Sequence, residues 1–250
     1  MAGENFQHQN IMRLLAYDED DKNYYLIYDH MPSSLEEKLT DLSWEDTVEI
    51  LKGIAKGLDH MQQKGYVHGD FKPANVLLAD VRKLSKKRIE GNLMHVRDEL
   101  ETIEVSRWNL QGYKDFWIGA KKWVNIFTPG YGAPEGNGGP LSDRVDVFSF
   151  GIVMLQLLSR NLELEVLMVK GKKPKKMELR DWTIMELGLK HHAVHKNFKE
   201  SCNKDIAIAL TELAVRCTNS NRNGRPLMSE VVQKLNNLVS QAIIPDQVIN

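Results

Sequence analysis

Two cysteines in 250 residues, Cys202 and Cys217, are too few for a disulfide framework and fit a reducing compartment. Charge of one sign is also lacking. With 33 Lys and Arg against 34 Asp and Glu, nothing global draws the chain to nucleic acid or to an anionic membrane. No apolar run approaches the roughly 20 residues that cross a bilayer. The most apolar stretch, Val147 to Leu158, is interrupted by Ser149 and Gln156. The opening MAGENFQHQN has no basic region leading into an apolar core, so no signal peptide is expected. No G-x-G-x-x-G phosphate-binding loop occurs anywhere. What remains is a chain that is 42% hydrophobic and long enough to bury a sizeable core, of one or two soluble domains.

Its chemistry is concentrated in Val67-His68-Gly69-Asp70-Phe71-Lys72-Pro73-Ala74-Asn75-Val76-Leu77-Leu78. Asp70, Lys72 and Asn75 stand at i, i+2 and i+5 between apolar flanks. A carboxylate so placed can accept a hydroxyl proton, the Lys can neutralise a transferring phosphoryl group, and the Asn can ligate a divalent cation that bridges phosphates.

Around this stretch the pattern is mixed. Ile11 to Tyr17 and Tyr24 to Met31 read as two strands joined by the acidic turn Asp18-Glu19-Asp20-Asp21, with Pro32 stopping the second. Ser33 or Ser34 can cap a short helix through Leu39, and Ser43 a longer one from Trp44, in which Val48, Leu51, Ala55, Leu58 and Met61 recur at helical spacing. The run through Val147 to Leu158 reads as a helix buried on most sides. Ile208, Leu210, Leu213, Ala214 and Cys217 define another helix, and Met228, Val231, Val232, Leu235, Leu238 and Val239 the last.

The Asp70 loop resembles the catalytic loop of protein kinases, H-R-D-x-K-x-x-N, with Gly69 where the family has Arg. Further motifs follow in kinase order. His8-Gln9-Asn10-Ile11 resembles the H-x-N-[IL] turn, and Tyr25 to Pro32 the hinge strand of receptor-like kinases of the plant and Pelle type. Thr128-Pro129-Gly130-Tyr131-Gly132-Ala133-Pro134-Glu135 resembles G-T-x-G-Y-x-A-P-E, with Phe127 at the first Gly. Asp146-Val147-Phe148-Ser149-Phe150-Gly151 resembles D-V-[YF]-S-[FY]-G, and Cys217 through Arg225-Pro226 to Val232 the ending C-x(n)-R-P-x-M-x-E-V-V.

The resemblance implies an α+β kinase fold, with residues 1–31 a residual strand-rich small lobe and hinge, 32–244 a mainly helical large lobe, and 245–250 a tail. It implies that Tyr28 is the gatekeeper, that the backbone of Asp29 to Met31 meets adenine, that Asp70 and Lys72 are catalytic, and that Asn75 and a later Asp hold Mg2+ with ATP. Thr128 would steady the catalytic pair, Asp146 would accept backbone amides of the loop, and Arg225 would pair with Glu135.

Several departures accompany the resemblance. The stretch soon after Asn75 has Lys86-Lys87-Arg88 where D-F-G is expected, and Asp115-Phe116-Trp117-Ile118-Gly119 is the candidate further on, so Asp115 is assigned the second metal position. Trp117 there restricts φ where Gly would not. Residues 86–112 are then an insertion, in which Leu93, Val96, Leu100 and Ile103 could form an amphipathic helix, either for docking or without function. The absence of the Arg at Gly69 resembles the non-RD kinases, whose control by activation-loop phosphorylation is relaxed. The strand Lys and its Glu partner are not found either.

Three expectations compete. One is a weakened ATP- and Mg2+-dependent Ser/Thr kinase acting on protein substrates in the cytoplasm, or on the cytoplasmic side of a membrane receptor complex. Another is a pseudokinase that serves as scaffold or partner of a full-length kinase, and the third is a degenerate copy with uncovered strand edges. The basic run Lys170 to Lys176 reads as a solvated loop in preference to a binder of nucleic acid, an anionic membrane or an import receptor. His191 and His195, spaced one helical turn apart, read as an exposed helix face in preference to a metal site.

Overall fold

Alternation of Tyr, Leu and Ile places the first two strands side by side: β1 (Leu14–Glu19) pairs antiparallel with β2 (Tyr24–Tyr28). The computed structural model describes residues 8–20, 24–78, 103–105, 128–136, 142–170, 173–198 and 201–242. The hairpin is tighter than the sequence suggests. Asp18 and Glu19 extend β1 instead of turning, opposite Tyr25 and Tyr24, and β2 ends four residues before Pro32.

β3 (Ser33–Ser34) leads directly into the short helix α1 (Leu35–Lys38), whose first turn is closed by a capping box between Ser34 and Glu37. The long helix α2 (Trp44–Gln63) begins with the same device. Ser43 Oγ accepts from the Asp46 N–H at 3.1 Å, and the Asp46 carboxylate accepts the Ser43 N–H at 3.3 Å. Such a cap contributes about 1 kcal/mol. Val48, Leu51, Ala55, Leu58 and Met61, the apolar positions of the periodicity, are all buried. At Gly57 the helix meets the His8–Ile11 turn so closely that a Cβ would lie 2.8 Å from the Asn10 carbonyl oxygen.

After α2 the chain passes through the Asp70 loop and a 3-10 turn (Pro73–Asn75) into β4 (Val76–Leu78). β4 is the middle of a three-stranded antiparallel sheet, with β3 on one side and β5 (Ile103–Val105) on the other. Ile103, expected on an amphipathic helix, is therefore in a strand, because its backbone pairs with Leu78. The remainder of 86–112 lies outside the described residues, as do Asp115 and Trp117.

α3 (Arg144–Ser159) is the centre of the helical part. Every residue from Val145 to Leu158 is buried, which is why the sequence there lacks a polar face. The basic run is not a loop but part of a hairpin, β6 (Glu165–Lys170) with β7 (Lys173–Glu178), in which Lys176 pairs with Glu165 at 2.7 Å. Backbone pairing forms this hairpin although the charged residues directly opposed at its ends, Glu165 with Glu178 and Lys170 with Lys173, carry like charges.

α4 (Leu179–Gly188), α5 (Lys204–Cys217) and α6 (Met228–Ala242) complete the order, with α6 packed on α2 and α5 on α3. His191 and His195 follow α4 in irregular chain, not on a helix; His191 Nδ1 lies 2.9 Å from Glu186. Cys202 precedes α5 in a bend, whereas Cys217 is fully buried and its thiol is pushed up to about 12 by burial. Both thiols are free. One apolar core joins α1, α2, β4, α3, α5 and α6. Among the described residues, no helix is long and apolar enough to cross a membrane.

Candidate functional site

The Asp70 loop is shaped by a residue 76 positions further along the chain. Asp146, in the first turn of α3, is almost fully buried, and its Oδ2 and Oδ1 accept the His68 and Gly69 N–H groups at 2.6 and 2.9 Å. Burial pushes this carboxyl up to about 6, against the opposing pull of the two amides. Gly69 has φ +79, a left-handed conformation that glycine adopts without a Cβ penalty. The turn aims the next residue, Asp70, toward the segment that starts at Thr128.

There the Asp70 carboxylate meets donors from Thr128 and Lys72, and Asn75 Nδ2 lies 3.4 Å from its Oδ2. The Thr128 hydroxyl donates to Oδ1 at 2.6 Å and the Thr128 N–H to the same oxygen at 3.2 Å, while Lys72 Nζ stands 3.2 Å from Oδ2. Lys72 Nζ also donates to Thr128 Oγ1 at 2.6 Å, which leaves the hydroxyl hydrogen directed at Asp70 Oδ1. Partial burial raises the Asp70 carboxyl, but the Thr128 and Lys72 donors outweigh it and hold the group below its ordinary value. It is ionised at neutral pH. Asn75 is buried; its Nδ2 donates to the Asp70 carbonyl at 2.7 Å, leaving Oδ1 as the atom a cation would take.

His68 is neutral. Its ring is pushed down to about 4, first by burial, with Asp70 opposing, and its Nδ1 accepts the Asp70 N–H at 3.3 Å.

A second frame holds the chain beyond Thr128. Arg225 clasps Glu135 through two hydrogen bonds of 2.6 and 2.8 Å, next to the buried Ala133. Ser149 Oγ donates to the Tyr131 carbonyl at 2.8 Å, and the Tyr131 hydroxyl donates to Gln156 Oε1 at 3.2 Å. Thus one face of α3 supplies Asp146 to the Asp70 loop and Ser149 and Gln156 to the Thr128 loop. Sequence reasoning gave no role to Ser149 and Gln156. The available signal was that these two polar residues interrupt the apolar helix, where a buried polar side chain needs a partner.

Asp70, Lys72, Asn75, Thr128 and Asp146 are thus brought together, and Glu135 with Arg225 beside them. Tyr28 ends β2 half-buried, with its hydroxyl pushed up by burial; Asp29 is exposed and Met31 half-buried in the connection that follows. Asp115 lies outside the described residues.

An ionised Asp, a Lys and a buried Asn on one loop, steadied by a Thr from a second loop and by an Asp from a central helix, are groups that can serve phosphoryl transfer, and they stand on an α+β fold with a mainly helical larger part. Comparison with known families agrees: the protein kinase domain matches residues 2–235, and this chain belongs to that family. It is similar to plant receptor kinases and probable serine/threonine-protein kinases. The probable serine/threonine-protein kinase PBL20 of Arabidopsis thaliana is 30% identical over 94% of this chain and 58% of its own length. The L-type lectin-domain containing receptor kinase V.5 of the same plant is 30% identical over 98% of this chain and 35% of its own length. The chain spans about half or less of the length of these relatives.

Proposed function

We propose that this domain presents Asp70 to a serine or threonine hydroxyl of a protein segment and, at a low rate, passes a phosphoryl group to it from ATP. The observation that carries this reading is the Asp70 carboxylate, held ionised and oriented by Thr128 and Lys72. In the step, the hydroxyl oxygen forms a bond to phosphorus, its proton goes to Asp70, and ADP leaves with the electrons of the broken bond. Lys72 offsets the charge on the transferring group, and Thr128 keeps both side chains in register. ATP supplies the phosphoryl group, with its adenine against Tyr28 and the Asp29 to Met31 backbone. Glu135, Arg225 and Asp146 position these loops and do not touch the reacting atoms. The free cysteines fit a cytoplasmic setting.

The test is incorporation of radiolabel from ATP into a library of Ser- and Thr-containing peptides. Slow incorporation that is lost in Asp70→Asn is expected; equal incorporation by both proteins overturns the reading.

A further inference from the structure

On its N-terminal side the β1–β2 hairpin is held by the turn that precedes it. Ile11 and Met12 are buried, Ile11 in the core shared by the helices, and β1 starts two residues beyond Met12. Among the described residues, no side chain of β1 or β2 enters that core. What fixes the His8–Ile11 turn on α2 therefore also fixes this side of the hairpin.

One titratable side chain closes the turn. His8 Nδ1 accepts the Asn10 N–H at 3.1 Å, and the His8 carbonyl accepts the Ile11 N–H at 3.0 Å. A ring nitrogen that accepts carries no hydrogen, so the neutral ring has its proton on Nε2 and the next proton has only Nδ1 to go to. That proton takes the lone pair that the Asn10 N–H uses. Two donors then face each other, and the bond is lost.

The ring also lies where a charge is poorly tolerated. His8 stacks on His60 of α2, with ring centroids 4.8 Å apart and planes 24° from parallel. Burial pushes His8 below its ordinary value, and His60 and Lys56 push it further, so the ring is neutral at pH 7. Both of these neighbours stand on α2; none comes from β1 or α6. Asp59, on the same helix, acts on His60. His60 Nε2 is buried with no hydrogen-bond partner among the described residues, so a charge on that ring would lack an acceptor.

We propose that His8 and His60 form a proton-operated latch between the N-terminal turn and α2, closed while His8 is neutral and opened when a proton on His8 Nδ1 displaces the Asn10 N–H. Opening lifts the turn from Gly57, whose missing Cβ lets the Asn10 carbonyl approach, and frees the N-terminal side of the hairpin. The sign follows from the lowered ring. Between its folded value and the ordinary 6.5 the open turn binds a proton that the closed one does not, so the closed form loses stability as pH falls below 6.5 and is level above it. The hairpin carries Tyr28, so acid would also loosen the proposed adenine face. Only that consequence rests on the proposed function, and the test uses no nucleotide.

The test is amide hydrogen exchange by NMR between pH 7.5 and pH 5, corrected for the intrinsic rate of each amide, in the wild type and in His8→Asn. Asparagine offers an oxygen to the Asn10 N–H but does not titrate. Expected in the wild type is a fall in the protection of Asn10 and Ile11 relative to Leu51 and Ile54 in α2. It should exceed about threefold and reach at most about thirtyfold at pH 5, the limit for a ring that titrates at 6.5 when open and not at all when closed. His8→Asn should hold the ratio constant. An unchanged ratio in the wild type overturns the proposal, as does a fall of the same size in a folded His8→Asn. The His8 ring protons give a second readout that needs no change at position 8. Their titration midpoint should lie below 6.5 in the wild type and move up in His60→Phe, which keeps an aromatic face without the charge. A wild-type midpoint at or above 6.5, or one that His60→Phe leaves unmoved, removes the latch.

Discussion

Arg225 and Glu135, 90 positions apart, close a two-pronged ion pair in which each guanidinium Nη meets its own carboxylate oxygen. The Arg225 side chain is fully buried and also caps the Asn219 and Arg144 carbonyls at 2.7 and 3.0 Å, with its Cζ 4.9 Å from the centre of the Phe148 ring. Partial burial raises the Glu135 carboxyl, but Arg225 outweighs it and holds the group below its ordinary value. A carboxyl depressed in the folded state stabilises above its unfolded pKa, and that contribution fades as pH falls. Glu135→Ala strands a buried charge and should cost about 3 kcal/mol in urea unfolding at pH 7. Combining it with Arg225→Met should cost less than the sum of the single changes; strict additivity in the cycle would show that the pair contributes no coupling.

Gly69 should not tolerate any L residue well, whatever its side chain. A Cβ built there meets nothing within 4 Å, so the cost of Gly69→Ala comes from φ +79 alone, about 1–2 kcal/mol. Gly69→Arg, which restores the family's residue, should cost about the same. A Gly69→Arg protein markedly more stable than Gly69→Ala would mean that the arginine finds a partner the backbone argument omits.

Much of this fold was legible because it is locally written. The Ser43 cap, the α2 periodicity and the polarity of α3 each read directly as an element with a known buried face. The Lys170 to Lys176 hairpin was not legible, since its charges suggest solvent and only pairing with the strand from Glu165 reveals β structure. Nor was the strand at Ile103, whose apolar spacing also suits a helix; pairing with Val76 to Leu78 is non-local and leaves no mark on the three residues themselves. In the site, the catalytic-type loop stood out by spacing, while the roles of Ser149 and Gln156 depend on what α3 touches.

Asp146 gives a pH dependence whose sign follows from its raised carboxyl. Between its unfolded value of 3.8 and its folded value of about 6 the native state holds a proton that the unfolded chain has lost, so stability falls as pH rises through that window and is level above it. Asp146→Asn removes this titration while keeping one acceptor for the His68 or Gly69 amide. The difference in unfolding free energy, wild type minus Asp146→Asn, should therefore decline from pH 4 to pH 6 in matched urea series. A difference that grows over the same range would show the carboxylate, not its protonated form, to be favoured by the fold.

Thr128 links the two loops through a single hydroxyl, accepting from Lys72 and donating to Asp70 at 2.6 Å each. Thr128→Val keeps the shape and removes both bonds, so the Asp70 carboxyl should rise toward its ordinary 3.8. Thr128→Ser should leave it low. Because the depressed carboxyl stabilises the fold above its unfolded pKa and ceases to do so as pH falls, the valine variant should lose about 1 kcal/mol at pH 7 and have a shallower loss on acidification. Carbon-detected titration of the Asp70 carboxyl checks the shift directly. If valine leaves that carboxyl as low as in the wild type, then Lys72 and the Thr128 N–H hold Asp70 ionised without the hydroxyl, which serves only to join the loops.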